Sequence, residues 1–222
     1  MKTYEPQYQW QVQLREELGP IGMGLTSGST YIKDPRRLVF LLSRYKFASK
    51  ILTGKPSVLE IGCGDGFGSH LLTQNITSYT GIDIDEVFVN DASSRFSGDS
   101  TKTFFRHDIL ADGRVDGQFA SAVSLDVLAH IPQQQEETYF ENICQSLSPD
   151  AIFVVGMPSI ESQPYASGGG EGHVNCKTGE ALLSLTKAFF ENALIFSMND
   201  EVVHTGYLRM AHYIICIGIH PI

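Results

Sequence analysis

The chain predicts an α/β fold with a mostly parallel sheet, closed at its end by an antiparallel hairpin. Three observations carry that expectation. From residue 57 onward, short β-branched runs alternate with amphipathic segments, which implies right-handed βαβ crossovers and parallel pairing. The stretch VLEIGCGDGFGSHLL at 58–72 passes from an apolar run through Gly62, Gly64, Gly66 and Gly68 into a helical pattern. The last two strand-like segments are joined by too few residues for a parallel return, which needs a dozen or more.

The first 50 residues divide into three parts: a polar start bearing Tyr4, Tyr8 and Trp10, a glycine-rich turn region GPIGMGLTSGS, and DPRRLVFLLSRYKFASKIL. In the last of these Asp34 can cap, Pro35 fits the first turn, and Leu38, Leu41, Leu42 and Tyr45 recur at helical spacing. SVLEI then reads as a strand, GFGSHLLTQ as a helix, YTGID as a strand, DEVFVNDASSRF as an amphipathic helix capped by Asp85, and TKTFFRHD and QFASAVSLD as strands. QQEETYFENICQSL follows as a helix and DAIFVVGMP as an apolar strand. The segment 158–176 is a long small-residue loop with three consecutive glycines, the pattern of a lid that walls a site. KTGEALLSLTKAFF reads as a helix with Thr178 as its cap. NALIFSMND and YLRMAHYIICIGI form the hairpin, linked by the polar EVVHTG.

Bulk properties narrow the function. With 222 residues, 42% hydrophobic and 18% charged, the chain suits a single globular domain. A net charge of -9 and no basic cluster longer than Arg36-Arg37 argue against nucleic acid as a partner. No apolar run reaches the ~20 residues of a membrane span and the N-terminus lacks a signal-peptide core, so the cytoplasm is the expected address. Cys63, Cys144, Cys176 and Cys216 lack zinc-type spacing and read as free thiols. The scattered histidines suggest no metal.

The glycine stretch lies where open parallel sheets bind ligands, at the carboxyl end of the first strand. Asp83, 21 residues past Gly62 at the end of the second strand, suits a ribose diol. The dinucleotide fingerprint G-x-G-x-x-G fails in both registers, because Phe67 and Ser69 occupy the third glycine positions, and no GxxxxGK[ST] is present. Glu60 would repel a pyrophosphate and attract a cationic ligand.

EIGCGDGFG with GIDID, HDIL, SLDVLAHIP and LSPDAIFVVGMP, in this order and spacing, resembles the class I S-adenosylmethionine-dependent methyltransferases. GHVNCKTGEAL and the terminal hairpin extend the resemblance more weakly. It implies a Rossmann-like three-layer sandwich with a seven-stranded sheet in the order 3-2-1-4-5-7-6. Residues 1–50 would form a helical substrate cap and 51–222 the methyltransferase domain. Position by position, Glu60, Gly62, Cys63, Gly64 and Gly66 would line the methionine portion of S-adenosylmethionine, with Glu60 near its ammonium. Asp83 would accept from both ribose hydroxyls and Ile84 would pack on the adenine. Asp108 would take the adenine amino group, with Ile109 beside the ring, and Leu125 and Asp126 would close the sulfonium end. Asp108 also reads as a helix cap. Ala129 departs from relatives that place Glu before the histidine.

Methyl transfer from a sulfonium needs chiefly that the acceptor be held on the methyl axis, with a base where a proton must leave. His130 and His173 are the candidate bases; each reads equally as a histidine whose hydrogen bond fixes a loop. Tyr31, Met157, Tyr165, Glu171 and Asn175 are candidates for the acceptor pocket. The expected substrate is a small polar metabolite, such as a sugar or another biosynthetic intermediate. No membrane or nucleic-acid partner is expected, and a homodimer is left open. Two other readings compete: a nicotinamide-dependent oxidoreductase, and a methyltransferase-like binding domain without activity.

Overall fold

The computed structural model describes residues 1–166 and 172–222. One eight-stranded sheet organises them: β1 (Ser57–Ile61), β2 (Ser78–Asp83), β3 (Lys102–Arg106), β4 (Phe119–Leu125), β5 (Leu147–Pro158), β6 (Phe190–Asn199), β7 (Val202–His204) and β8 (Tyr213–Pro221). The order across the sheet is β3-β2-β1-β4-β5-β8-β6-β7. The pairs among β1 to β5 are parallel, while β8 lies antiparallel between β5 and β6. The expected terminal hairpin is therefore present. The eighth strand comes from the stretch read as a polar link: Val202 to His204 fold back on β6 through the Asn199–Val202 and Ser197–His204 pairs and add a short outer edge.

The described residues form seven α-helices: α1 (Gln9–Leu18), α2 (Leu25–Lys33), α3 (Arg36–Ile51), α4 (Ser69–Leu72), α5 (Glu86–Arg95), α6 (Glu136–Gln145) and α7 (Gly179–Lys187). Alternation along the strands sends successive side chains to opposite layers. Val58, Val123, Val154 and Ile215 pack with Tyr45, Ala48 and Leu52 of α3 on one face. Leu59, Ala122, Phe153 and Ile214 pack with Tyr139, Phe140 and Ile143 of α6 and Leu182 of α7 on the other. Burial of each large apolar side chain contributes roughly 1.5–3 kcal/mol, so both layers are needed to hold the sheet.

Local signals account for most ends. Asp85 caps α5 by accepting from Val87 N at 2.9 Å, and Thr178 caps α7 by accepting from Ala181 N at 3.1 Å. The helix expected over GFGSHLLTQ shrinks to four residues, because the glycine turns extend to Gly68. The polar start holds α1, and the glycine-rich region, which reads as a turn, holds α2. In the second, Gly24 takes the N-cap position with its amide on Ser27 Oγ at 2.9 Å. All four cysteines are free thiols. No helix among the described residues is long and apolar enough to cross a membrane.

Candidate cofactor and acceptor site

The glycines after β1 divide by task. Gly62, Gly64 and Gly66 have φ of 71°, 51° and 67°, the left-handed region open to glycine at no steric cost. A Cβ at Gly62 would overlap Val127 and one at Gly66 would overlap Phe104, whereas at Gly64 it would meet open space. Gly68 has ordinary helical geometry and is excluded from bearing a side chain by the Tyr45 ring. Gly64 is therefore the turn where backbone lies bare to a ligand.

Asp83 reaches this turn from the end of β2. Its Oδ2 accepts from Gly64 N at 2.8 Å and its Oδ1 from Asp85 N at 3.0 Å. A carboxylate offers about four acceptor sites, so two remain for a diol. Ile84 beside it is 67% exposed, an apolar side chain uncovered at the mouth where a flat ring would pack. Asp108 caps its turn, its Oδ1 accepting from Leu110 N and Ala111 N, which leaves Oδ2 for a ligand. Ile109 is buried in the core. These features fit a nucleoside.

Glu60 is buried, with Oε1 accepting from the Tyr45 hydroxyl and Oε2 from the Tyr79 hydroxyl. Burial pushes its pKa up to about 7 against the pull of the two donors, and Asp83 and Asp65 push the same way. Its carboxylate is thus held beneath the glycine loop by two phenol donors. Cys63 is buried beside it, and burial pushes its thiol well up.

At the other side of the loop, Leu125 is buried, and Asp126 turns with φ 65°, strained for a residue other than glycine. Its Oδ2 accepts from Arg44 Nη1 at 2.6 Å, and the guanidinium lies 3.7 Å from the centre of the Tyr213 ring. His130 and His173 sit side by side with ring centres 5.0 Å apart. His130 Nδ1 bonds Gly172 O at 2.9 Å and His173 Nδ1 bonds Gln163 Oε1 at 3.1 Å. Each histidine thus fixes the loop through Nδ1 while its Nε2 has no hydrogen bond among the described residues. Burial, then the neighbouring His130, hold His173 below the usual histidine range.

The loop that carries these groups is tied at its base. Ile160 N donates to Lys177 O at 3.0 Å, and Val174 N and Asn175 N both donate to Ala129 O at 2.8 and 3.0 Å. Here two acceptor-pocket candidates are corrected. Asn175 is buried and spent on structure: its Nδ2 donates to Glu136 Oε2 at 3.0 Å and its Oδ1 accepts from Lys177 Nζ at 3.1 Å, in a network closed by a 2.6 Å Lys177–Glu136 ion pair. Met157 is fully buried, because its strand position faces the α6 layer. Tyr31 and Tyr165 are exposed, on α2 and at the start of the loop. Glu171 lies outside the described residues.

Residues that sequence reading passed over complete the site. Arg44 and Tyr45 are consecutive on α3 and reach Asp126 and Glu60. Asp65, buried in the glycine loop, accepts from Ser27 N at 2.7 Å through Oδ2, so α2 sets its first turn on that carboxylate. Tyr45 had a signal, the helical periodicity of α3; Arg44 and Ser27 had none.

The sheet order, with a glycine loop after the first strand and an antiparallel end, is the fold of the class I S-adenosylmethionine-dependent methyltransferases. Residues 58–150 match the family model described as "Methyltransferase domain". The chain is 29% identical over 105 residues to the phosphoethanolamine N-methyltransferase of Plasmodium falciparum, covering 47% of this chain and 40% of that protein. The match thus represents less than half of the relative's length. Among solved structures, the N-methyltransferase NodS from Bradyrhizobium japonicum in complex with S-adenosyl-L-homocysteine superposes with a TM-score of 0.64 at 20% identity, covering 98% of this chain and 100% of that one. A DhpI complex with the same product gives 0.66 at 12% identity over 87% of this chain and 91% of that one.

Proposed function

We propose that the chain transfers a methyl group from S-adenosylmethionine to a small polar metabolite bound between the carboxyl end of β4 and the segments 158–166 and 172–176. The observation that carries this reading is the joint arrangement of Asp83 on Gly64, with Gly64 open to solvent, and the His130–His173 pair across the loop. S-adenosylmethionine supplies a methyl group on a sulfonium, which leaves as a neutral thioether. Asp83 would hold the ribose hydroxyls, Asp108 Oδ2 the adenine amino group, and Ile84 the ring face.

What the rest of the chain does is positioning and proton handling. The tied base of the loop and the Arg44–Asp126 pair fix the walls, so little motion is spent on aligning the acceptor. A hydroxyl or ammonium acceptor must lose a proton, and His173, held neutral near pH 7, presents Nε2 to take it. His130 is the alternative base. The phosphoethanolamine and NodS enzymes are both named as N-methyltransferases, which makes amines the first acceptors to try. In this reading residues 1–50 form a helical segment that covers the site and 51–222 form the catalytic domain.

Calorimetry with S-adenosylmethionine and S-adenosylhomocysteine tests the cofactor; no binding at millimolar ligand would overturn the proposal. A screen of small amines and hydroxyl compounds for formation of S-adenosylhomocysteine tests the transfer.

A further inference from the structure

We infer that Tyr45 is a positioning residue for the cofactor: from α3 it holds the Glu60 carboxylate in the oriented form that receives the ammonium of the methionine tail. This rests on the S-adenosylmethionine reading above. Tyr45 has a position fixed twice over. Its ring covers Gly68 at the start of α4, where a Cβ would overlap it, and its hydroxyl donates to Glu60 Oε1.

Glu60 is a buried carboxylate that lacks a counter-ion. The groups that face it are Tyr45 from α3, Tyr79 and Asp83 from β2, and Cys63 and Asp65 from the glycine loop. Two are neutral donors, two are acids and one is a buried thiol. No ion pair among the described residues includes Glu60. A buried carboxylate ordinarily pairs or takes up a proton. Here burial favours the protonated form while two phenols favour the carboxylate without supplying charge, so a positive group arriving with the ligand is the partner that would complete the site. The N-terminal segment thereby serves the cofactor half of the site and not only the acceptor half.

The test compares two nucleosides by calorimetry from about pH 6 to about pH 8.5: S-adenosylhomocysteine, which carries the ammonium, and methylthioadenosine, which lacks the amino-acid tail. For the wild type, affinity for S-adenosylhomocysteine rises with pH as Glu60 ionises, while affinity for methylthioadenosine stays flat. Tyr45→Phe keeps the ring on Gly68 and removes one donor, so the rise moves to higher pH and affinity for S-adenosylhomocysteine near neutral pH falls about tenfold, with methylthioadenosine changed less than about twofold. Glu60→Gln flattens the S-adenosylhomocysteine profile. A Tyr45→Phe profile that superimposes on the wild type, or equal losses for both nucleosides, overturns the inference. If Tyr45→Phe does not fold, the wild-type and Glu60→Gln profiles decide, and identical profiles overturn it. Failure of the wild type to bind either nucleoside instead removes the cofactor reading itself.

Discussion

Arg44 on α3 and Asp126 at the end of β4, 82 positions apart in sequence, meet at 2.6 Å with the guanidinium laid on the Tyr213 ring. The pair joins α3 to the carboxyl end of β4. Asp126 is partly exposed, so screening limits what the ion pair adds and the cation–π stack carries part of the effect. Arg44→Met is expected to destabilise the fold by about 1–3 kcal/mol in urea denaturation. The Arg44→Met/Asp126→Asn double variant should recover part of that loss, as residues in direct contact do.

Asp83 braces the glycine turn and retains free acceptor sites. Asp83→Ala is therefore expected to weaken S-adenosylhomocysteine binding by about tenfold or more, since it removes hydrogen bonds to a charged acceptor. The circular dichroism spectrum should stay near that of the wild type, while the thermal midpoint should fall by a few degrees because Gly64 N and Asp85 N lose their acceptor. Unchanged affinity would remove Asp83 from the site.

Two glycines of the loop should fail in different ways when changed to alanine. Gly64 has open space but φ 51°, so Gly64→Ala costs about 1 kcal/mol of backbone strain and places a methyl group on the ligand side, weakening the cofactor more than the fold. Gly68 has ordinary φ but lies on the Tyr45 ring, so Gly68→Ala overpacks the core and costs about 1–3 kcal/mol of stability. Paired measurement of unfolding and of cofactor affinity separates the two.

Glu60 sets a pH dependence of stability. A carboxyl raised from 4.5 to about 7 in the folded state favours folding while protonated. Its contribution is full below pH 4.5 and is lost as pH rises through about 7. Glu60→Gln, which cannot ionise, should therefore match the wild type near pH 5 and exceed it by up to about 3 kcal/mol near pH 8. Urea unfolding of the cofactor-free protein at the two pH values checks this.

His173 predicts the acid limb of activity. Because its pKa is held below 6.5, turnover should fall as pH drops below that value and His173 gains its proton. His173→Gln should lower kcat by about a hundredfold and remove the limb, while leaving S-adenosylhomocysteine affinity intact. If His130→Gln produces that pattern instead, the base is His130.

Much of the fold was legible because its signals are local. The β-branched runs and the caps at Asp85 and Thr178 each act over a few residues, and each placed its element, whereas the link before β8 runs from 200 to 212, longer than the polar stretch suggests, with β7 inside it. β7 was missed because three residues of edge strand carry too little pattern, and α2 because a glycine-rich segment reads as a turn until Gly24 and Ser27 find Asp65. Met157 and Asn175 read as pocket candidates because they lie beside the expected lid in sequence. Which side of a strand or loop faces inward is decided by packing, and both side chains turn to the interior.

The sequence alone determined the fold class and the candidates for the cofactor half of the site: glycines at two-residue spacing, acids along the first two strands and in the turns that follow strands, and a strand–helix alternation are short-range facts of covalent order. Only the tertiary structure decided what holds the acids around the glycine loop. Glu60 takes Tyr45, 15 positions away, Asp65 takes Ser27, 38 away, and Asp126 takes Arg44, 82 away. All three partners come from the N-terminal segment that sequence reading had treated as a substrate cap. Such pairings arise when helices α2 and α3 pack onto the sheet and desolvated carboxylates require donors, a condition that exists only once the core has formed.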